Sequence, residues 1–242
     1  MTAFLRSSLY ALYQSVITVV FALLALPLAP LPAAVRYRFI TLWSRLMLAG
    51  AEAILGIRYR VLGAGSLPPP PFIILAKHQS AWETFAFQVI FPTQVWLVKR
   101  ELMWIPFFGW GLALLAPIAI DRASGQRALH QLLEQGRDRL ARRYCIVIFP
   151  EGTRTAPGTR GKYQAGGAWL AVRTGTPVVP VAHNAGSLWG RRAFIKRPGL
   201  VTVSIGYPIE PQQLAPEELN RRVEDWIEGE MQRIGGPGSG QP

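Results

Sequence analysis

The 242-residue chain holds one cysteine, Cys145. That excludes an intrachain disulfide framework and a cysteine-rich metal site. Cys145 sits inside the apolar run CIVIF, which suits a small core residue. Charge is absent from the start of the chain. Ahead of Arg36 there is no acid, Arg6 is the sole basic side chain, and residues 7–35 carry no charge at all. Zinc-finger spacing, an RNP-type aromatic motif and a basic-region heptad are also missing, so nucleic acid is not the expected partner. There is no G-x-S-x-G elbow and no internal repeat.

What is present is basic and apolar. The formal net charge is +12, and half the residues are hydrophobic. Residues 36–209 carry 22 basic and 7 acidic side chains, whereas 210–242 carry 3 and 7. With nucleic acid set aside, a basic body points to an anionic membrane surface or a phosphorylated substrate.

Two hydrophobic stretches read differently. Residues 7–35 are long enough to enter a bilayer, which takes about 20 apolar residues to cross. Pro27, Pro30 and Pro32 break the far end, so a full span and a shallow one-leaflet anchor fit equally well. Residues 39–56, with Trp43, Arg45 and Glu52, form an amphipathic pattern suited to an interface. The second stretch, residues 102–120, has no charge over 19 residues. A span there would put the two polar motifs described below on opposite sides of a membrane. Its prolines and glycines instead suit a broken hydrophobic wall of a pocket.

Beyond residue 57, strand-like runs fall at 58–62, 72–76, 95–98, 117–120, 145–149, 178–182 and 200–205. Helical patterns lie between them, clearest at 125–143 and 217–233. This alternation predicts an α/β fold, a mixed sheet flanked by helices, preceded by a membrane-associated helical pair. The expected division is an anchor over 1–56, an α/β domain over 57–234 and a flexible tail over 235–242.

Chemistry gathers where strands end. In KHQSAWE, His78 and Glu83 are five apart, rotated by about 140° on a straight helix, so they meet only if His78 lies in the loop before it. Ser80 to Glu83 has capping-box spacing and supplies that break. The same spacing permits a bland reading, with Glu83 merely capping the helix. A second loop, FPEGTR, follows the run at 145–148. Gly152 lets backbone approach an anion, Arg154 can grip phosphate through its planar fork, and Glu151 can position a hydroxyl or orient the loop. Lys99 and Arg100 end another run, next to the hydrophobic wall. His183 is at most site-lining, and His130 belongs to a helix face.

Four blocks occur in order: KHQSAWE, VKRELMWIPFFG…IAIDR, FPEGTR and VVPVAHNAG. Together they resemble the glycerolipid acyltransferase family, above all its bacterial 1-acylglycerol-3-phosphate branch. The resemblance implies transfer of a fatty acyl group from a thioester, acyl-CoA or acyl carrier protein, to the 2-hydroxyl of lysophosphatidic acid. It implies His78 as base with Glu83 beside it, and Lys99, Arg100 and Arg154 around the acceptor phosphate. Ser80, Glu151, Gly152 and Thr153 would support them. No metal and no bound cofactor are implied. The expected setting is a bacterial inner membrane, with the site on the cytoplasmic side and acyl carrier protein a candidate partner.

Three departures stand out. Glu83 replaces the usual aspartate, Ala116 replaces a common glycine, and a lysine often found after FPEGTR is missing, leaving Arg160 or Lys162 to substitute. Competing readings are an acceptor with another head group, such as an amino-acid lysolipid, a hydrolase using Ser80, and an idle lipid-binding protein. For the oxyanion of an acyl transfer, amides at 78–80 or around Gly152 are the candidates.

Overall fold

The structure is a computed structural model that describes residues 2–121 and 124–235. Arg122 of the IAIDR run and the tail beyond Gly235 lie outside the described residues.

The chain opens with helix α1 (Ala3–Ala25), a short 3₁₀ turn (Leu26–Leu28), and helix α2 (Ala33–Gly50), which ends in a π turn over Ala51–Leu55. Among the described residues, one helix is long and apolar enough to cross a membrane: Ala3–Leu28, with a mean hydropathy of 2.0. The pair is bolted together by tyrosines. Tyr10 Oη donates to the Met47 carbonyl at 3.1 Å and Tyr13 Oη to that of Leu46 at 2.9 Å. Its inner face joins the core of the sheet, with Tyr10, Met47, Leu48 and Leu55 buried against Phe72, Ile74 and Trp189. Its outer face remains apolar and exposed, through Phe4, Leu9, Leu12, Val16, Val20 and Leu24.

All seven expected strands are present: β1 (Ile57–Leu62), β2 (Ile73–Ala76), β3 (Gln94–Lys99), β4 (Ile118–Ile120), β5 (Cys145–Ile148), β6 (Val178–His183) and β7 (Gly199–Ile205). They form one sheet in the order β1-β7-β6-β2-β5-β3-β4. Every pair is parallel except β6–β7. β2, β5 and β6 lie centrally and are buried on both sides, which is why they read as continuous apolar runs rather than alternating ones. Alternation persists inside β2: Ile73 and Leu75 face one core, Phe72, Ile74 and Ala76 the other.

Helices α3 (Trp82–Ile90), α4 (Phe108–Leu114), α5 (Gln126–Ala141), α6 (Gly166–Thr174), α7 (Ala185–Leu188) and α8 (Pro216–Gly235) complete the fold. α5 buries Ala128, Leu132, Gly136 and Leu140 at four-residue spacing, one stripe of an amphipathic helix. α8 does the same with Leu219, Val223 and Ile227.

The uncharged 102–120 stretch divides into part of a 3₁₀ turn (Arg100–Trp104), α4 and β4. Ala116, just after α4, has φ +50°. This is the left-handed region, where a side chain costs about 1–2 kcal/mol and glycine is at ease. The glycine-to-alanine departure there therefore strains the backbone and is not the small change that residue size suggests.

Candidate active site

Parallel pairing sets Leu75 of β2 beside Ile148 of β5 and Ala76 beside Val181 of β6. Three C-terminal strand ends thus meet, where open α/β sheets bind ligands. From β2 comes the 77–83 loop, from β5 the 149–154 loop, and from β6 His183.

His78 sits in the loop ahead of α3, and its Nδ1 lies 2.8 Å from Glu83 Oε1. That same oxygen accepts the N–H groups of Gln79 at 3.0 Å and Ser80 at 2.8 Å. The capping and pairing readings of Glu83 are therefore not rivals: one carboxylate oxygen does both. The helix itself starts one residue later than the capping-box spacing implies. Ala81 occupies the cap, and Ser80 Oγ accepts from the Trp82 N–H at 3.1 Å. Glu83 is completely buried, which pushes its carboxyl up, but His183, His78 and the Ser80 N–H outweigh burial and hold it below its ordinary value. With Nδ1–H donated to a carboxylate, Nε2 keeps its lone pair, the form a general base needs. The imidazole also stacks on Phe149, with centroids 3.9 Å apart and planes 11° apart.

Behind this loop lies a buried charge network. Lys77 Nζ is 2.8 Å from Glu151 Oε1 and 2.8 Å from Glu228 Oε1 on α8. It also donates to the Thr159 carbonyl at 3.1 Å, and Tyr163 Oη donates to Glu228 Oε1 at 2.8 Å. Glu151 Oε2 accepts the His78 backbone N–H at 2.9 Å. Of the two roles open to Glu151, orienting the loop is the one its contacts describe. His183 is buried and neutral: burial lowers its pKa, against the opposing pull of Glu83. Its Nδ1 accepts the Ala185 N–H, so Nε2–H donates to the Lys77 carbonyl at 2.8 Å. His183 through the Lys77 carbonyl, and Lys77 through Glu151, thus hold the peptide that leads into His78. No local pattern announces either role, because each depends on contacts far along the chain.

His78 opens onto a cavity of about 560 Å³. Its polar lining includes Lys99, Gly152, Thr153 and Arg154, joined by Arg191 and Arg192. Its apolar lining includes Phe21 and Ala25 of α1, Phe39 and Trp43 of α2, and Phe107, Phe108, Leu112 and Leu115 from the uncharged stretch. Among the described residues, no carboxylate lines it. Arg154 Nε is buried without a hydrogen-bond partner among the described residues, a condition that native structures seldom leave unexplained.

Several expectations change. Arg100 begins the 3₁₀ turn, is exposed, and does not line the cavity. Neither do Arg160, which pairs with Glu224 at 2.7 Å, or Lys162. Ser80 is fully buried outside the cavity. The amides foreseen for an oxyanion are committed elsewhere: His78 to Glu151, Gln79 and Ser80 to Glu83, and Gly152 to the Phe149 carbonyl at 3.0 Å. Among the described residues, the Thr153 and Arg154 N–H groups have no acceptor. Cys145 is buried in β5, its thiol pushed up to about 11 by burial, as befits a core residue. Among the described residues, no group of three His, Cys, Asp or Glu side chains is placed to hold a metal.

A seven-stranded sheet with a histidine–carboxylate pair and an apolar cavity at its strand ends defines a class, and residues 58–184 match the family model described as Acyltransferase. The chain belongs to that family. It is 43% identical over 235 residues to "1-acyl-sn-glycerol-3-phosphate acyltransferase" of Pseudomonas aeruginosa, covering 95% of this chain and 91% of that one. A Saccharomyces cerevisiae protein of the same name is 29% identical over 191 residues, 76% of this chain and 63% of its own. The crystal structure of the 1-acyl-sn-glycerophosphate acyltransferase PlsC from Thermotoga maritima shares the fold. Its TM-score is 0.81 at 24% identity, covering 98% of this chain and 99% of that one.

Proposed function

We propose that this acyltransferase moves a fatty acyl group from a thioester to the sn-2 hydroxyl of 1-acyl-glycerol-3-phosphate, giving phosphatidic acid. The observation that carries the reading is one cavity that joins the His78–Glu83 pair, the unpartnered Arg154 Nε and an apolar wall. The name of the 43%-identical relative supports it.

The chemistry follows from the groups. His78 Nε2 takes the proton of the acceptor hydroxyl as its oxygen attacks the thioester carbon. The imidazolium so formed is held by Glu83 and faced by Phe149. The tetrahedral oxyanion is met by the free N–H groups of Thr153 and Arg154, in place of the occupied amides at 78–80. Collapse breaks the C–S bond, and His78 returns its proton to the leaving thiolate. Arg154 and Lys99 bind the acceptor phosphate, while the apolar wall takes acyl chain. The donor is acyl-CoA or an acyl carrier protein thioester. No metal or bound cofactor takes part in these steps.

The exposed apolar face of α1 sits in one leaflet, and the basic body attracts anionic lipid. Trp104, 80% exposed, and the half-exposed Ile105, Phe108 and Trp110 extend that apolar surface beyond the helical pair. These features support a membrane-surface setting, which we read as a bacterial inner membrane with the site on its cytoplasmic side. The test is a panel of lysolipid acceptors with one acyl thioester, read by product mass. Lysophosphatidic acid should be the preferred acceptor. Arg154→Ala should depress its use far more than that of monoacylglycerol. Equal turnover of phosphorylated and phosphate-free acceptors by the wild type would overturn the assignment.

A further inference from the structure

Loop 189–197 serves no step of the mechanism above, yet it brings two arginines to the cavity. Arg191 and Arg192 line it beside Arg154 and Lys99. Arg191 Nη1 donates to the Arg154 carbonyl at 3.0 Å, tying the loop to the FPEGTR turn. Arg192 holds φ +57°, a conformation that disfavours a side chain, within a tight turn closed by the Ala193 N–H on the Gly190 carbonyl at 3.1 Å. Strain of this kind persists only where surrounding structure enforces it.

That structure is visible on both flanks. Trp189 N–H donates to the Ala185 carbonyl at 2.8 Å, and Arg197 N–H to that of Leu188 at 2.9 Å. The Lys196 ammonium lies 4.8 Å from the Trp189 ring and 5.9 Å from that of Tyr10, a cation–π seat. Its backbone N–H donates to Ser7 Oγ on α1 at 2.9 Å. The loop is therefore fixed to α1 and to α7, and its arginines are held at a cavity that no carboxylate lines among the described residues.

We propose that Arg191 and Arg192 form a second phosphate-binding subsite of this cavity, additional to Arg154 and Lys99. This rests on the acyl-transfer reading. Four cations on a cavity that no carboxylate lines among the described residues exceed what one phosphomonoester, at about −1.5 to −2, neutralises. The ligand is a phosphate ester. It is either the acceptor's own phosphate, wrapped from its far side, or a phosphate of the donor, since acyl-CoA and the phosphopantetheine arm of a carrier protein both carry one.

The test uses the full chain in phosphatidylcholine vesicles with 1-oleoyl-lysophosphatidic acid and oleoyl-CoA. Arg191→Gln/Arg192→Gln should raise KM for one substrate about ten-fold or more, the scale of one charge-assisted hydrogen bond, with kcat within about three-fold. A rise for the lysolipid that vanishes with monoacylglycerol assigns the subsite to the acceptor. A rise for oleoyl-CoA that vanishes with oleoyl-pantetheine, which has no phosphate, assigns it to the donor. Arg191→Lys/Arg192→Lys should recover part of the loss, and Arg142→Gln, outside the cavity, should leave both KM values unchanged. Should the double glutamine variant fail to fold, Arg192→Gln alone is decisive, since it leaves the Arg191–Arg154 hydrogen bond in place. Unchanged KM for both substrates, or a fall in kcat alone, overturns the subsite. Failure of the wild type to make phosphatidic acid would instead overturn the underlying reading.

Discussion

Phe149 lies flat against His78, with 3.9 Å between ring centroids and 11° between planes. The stacking restrains the plane of the imidazole and offers an aromatic face to any positive charge on His78. Cation–π contacts with a desolvated ring reach about 2 kcal/mol. Phe149→Leu should therefore lower kcat by roughly 5- to 30-fold with little change in acceptor KM, and Phe149→Tyr should retain most activity. Steady-state kinetics on vesicles checks this, and a change confined to KM would contradict it.

Removing the base should cost more. His78→Ala should reduce kcat by about 10²–10⁴-fold while the lysolipid still binds. Glu83→Gln should cost less than that, and Glu83→Asp should keep partial activity. Ser80→Ala should remain clearly active and lose about 1 kcal/mol of stability through its lost hydrogen bond to Trp82. Incubation with oleoyl-CoA alone should label no side chain; an acyl adduct on Ser80 that transfers to lysolipid would overturn direct attack.

Acid should weaken the fold in two stages. His183 is held below its ordinary 6.5 and Glu83 below its ordinary 4.5. Both groups bind protons more readily in the unfolded chain than in the folded one, so stability rises with pH across their titrations. The His183 contribution is complete above about pH 6.5 and is lost as the pH falls below it; the Glu83 contribution begins to fail below about 4.5. Urea midpoints should drop between pH 7.5 and 5, and His183→Gln should flatten that part of the profile. An unchanged slope in the variant would rule His183 out.

Lys77→Met strips two carboxylates of a shared buried partner, Glu151 at 2.8 Å and Glu228 at 2.8 Å. Breaking a buried pair from one side typically costs about 3–5 kcal/mol. Denaturant unfolding should show a loss on that scale, and adding Glu151→Gln to the same chain should return part of it. Wild-type stability in Lys77→Met would mean the network is solvated.

For membrane attachment, the informative changes lie on the exposed face of α1, because its inner face belongs to the core. Leu12→Glu/Val16→Glu should shift much of the protein to the supernatant in vesicle sedimentation, and the residue that stays bound should be salt-sensitive. Retention on vesicles in high salt would sink the α1 anchor.

Much of this architecture is legible before folding, for identifiable reasons. Central parallel strands are apolar on both faces, so 73–76, 145–148 and 178–183 stand out as unbroken runs, and the polar loops that follow them mark the site. His78 and Glu83 are local and visible. What hid was non-local or geometric. Lys77 looks like a strand-end cation until Glu228 arrives from 151 positions away. The amides at 78–80 look free until Glu83 and Glu151 are seen to occupy them. Arg100 and Lys99 are neighbours in sequence, but only Lys99 reaches the cavity. Ala116 passes as a minor change until its φ of +50° is known. Arg191 and Arg192 follow the fourth block, where no motif marks them.

The bond between Lys77 and Glu228 also orders events in time. A chain is made from its first residue onward, and the strand, loop and histidine of the acid–base pair leave the ribosome long before α8 exists. Until α8 docks, the Lys77 ammonium beneath the histidine loop has Glu151 but lacks its second carboxylate, and the Tyr163 hydroxyl lacks its acceptor. The bracing of the His78 loop is therefore complete only once α8 is in place. A nascent or C-terminally clipped chain would present the apolar face of α1 with that loop only half braced.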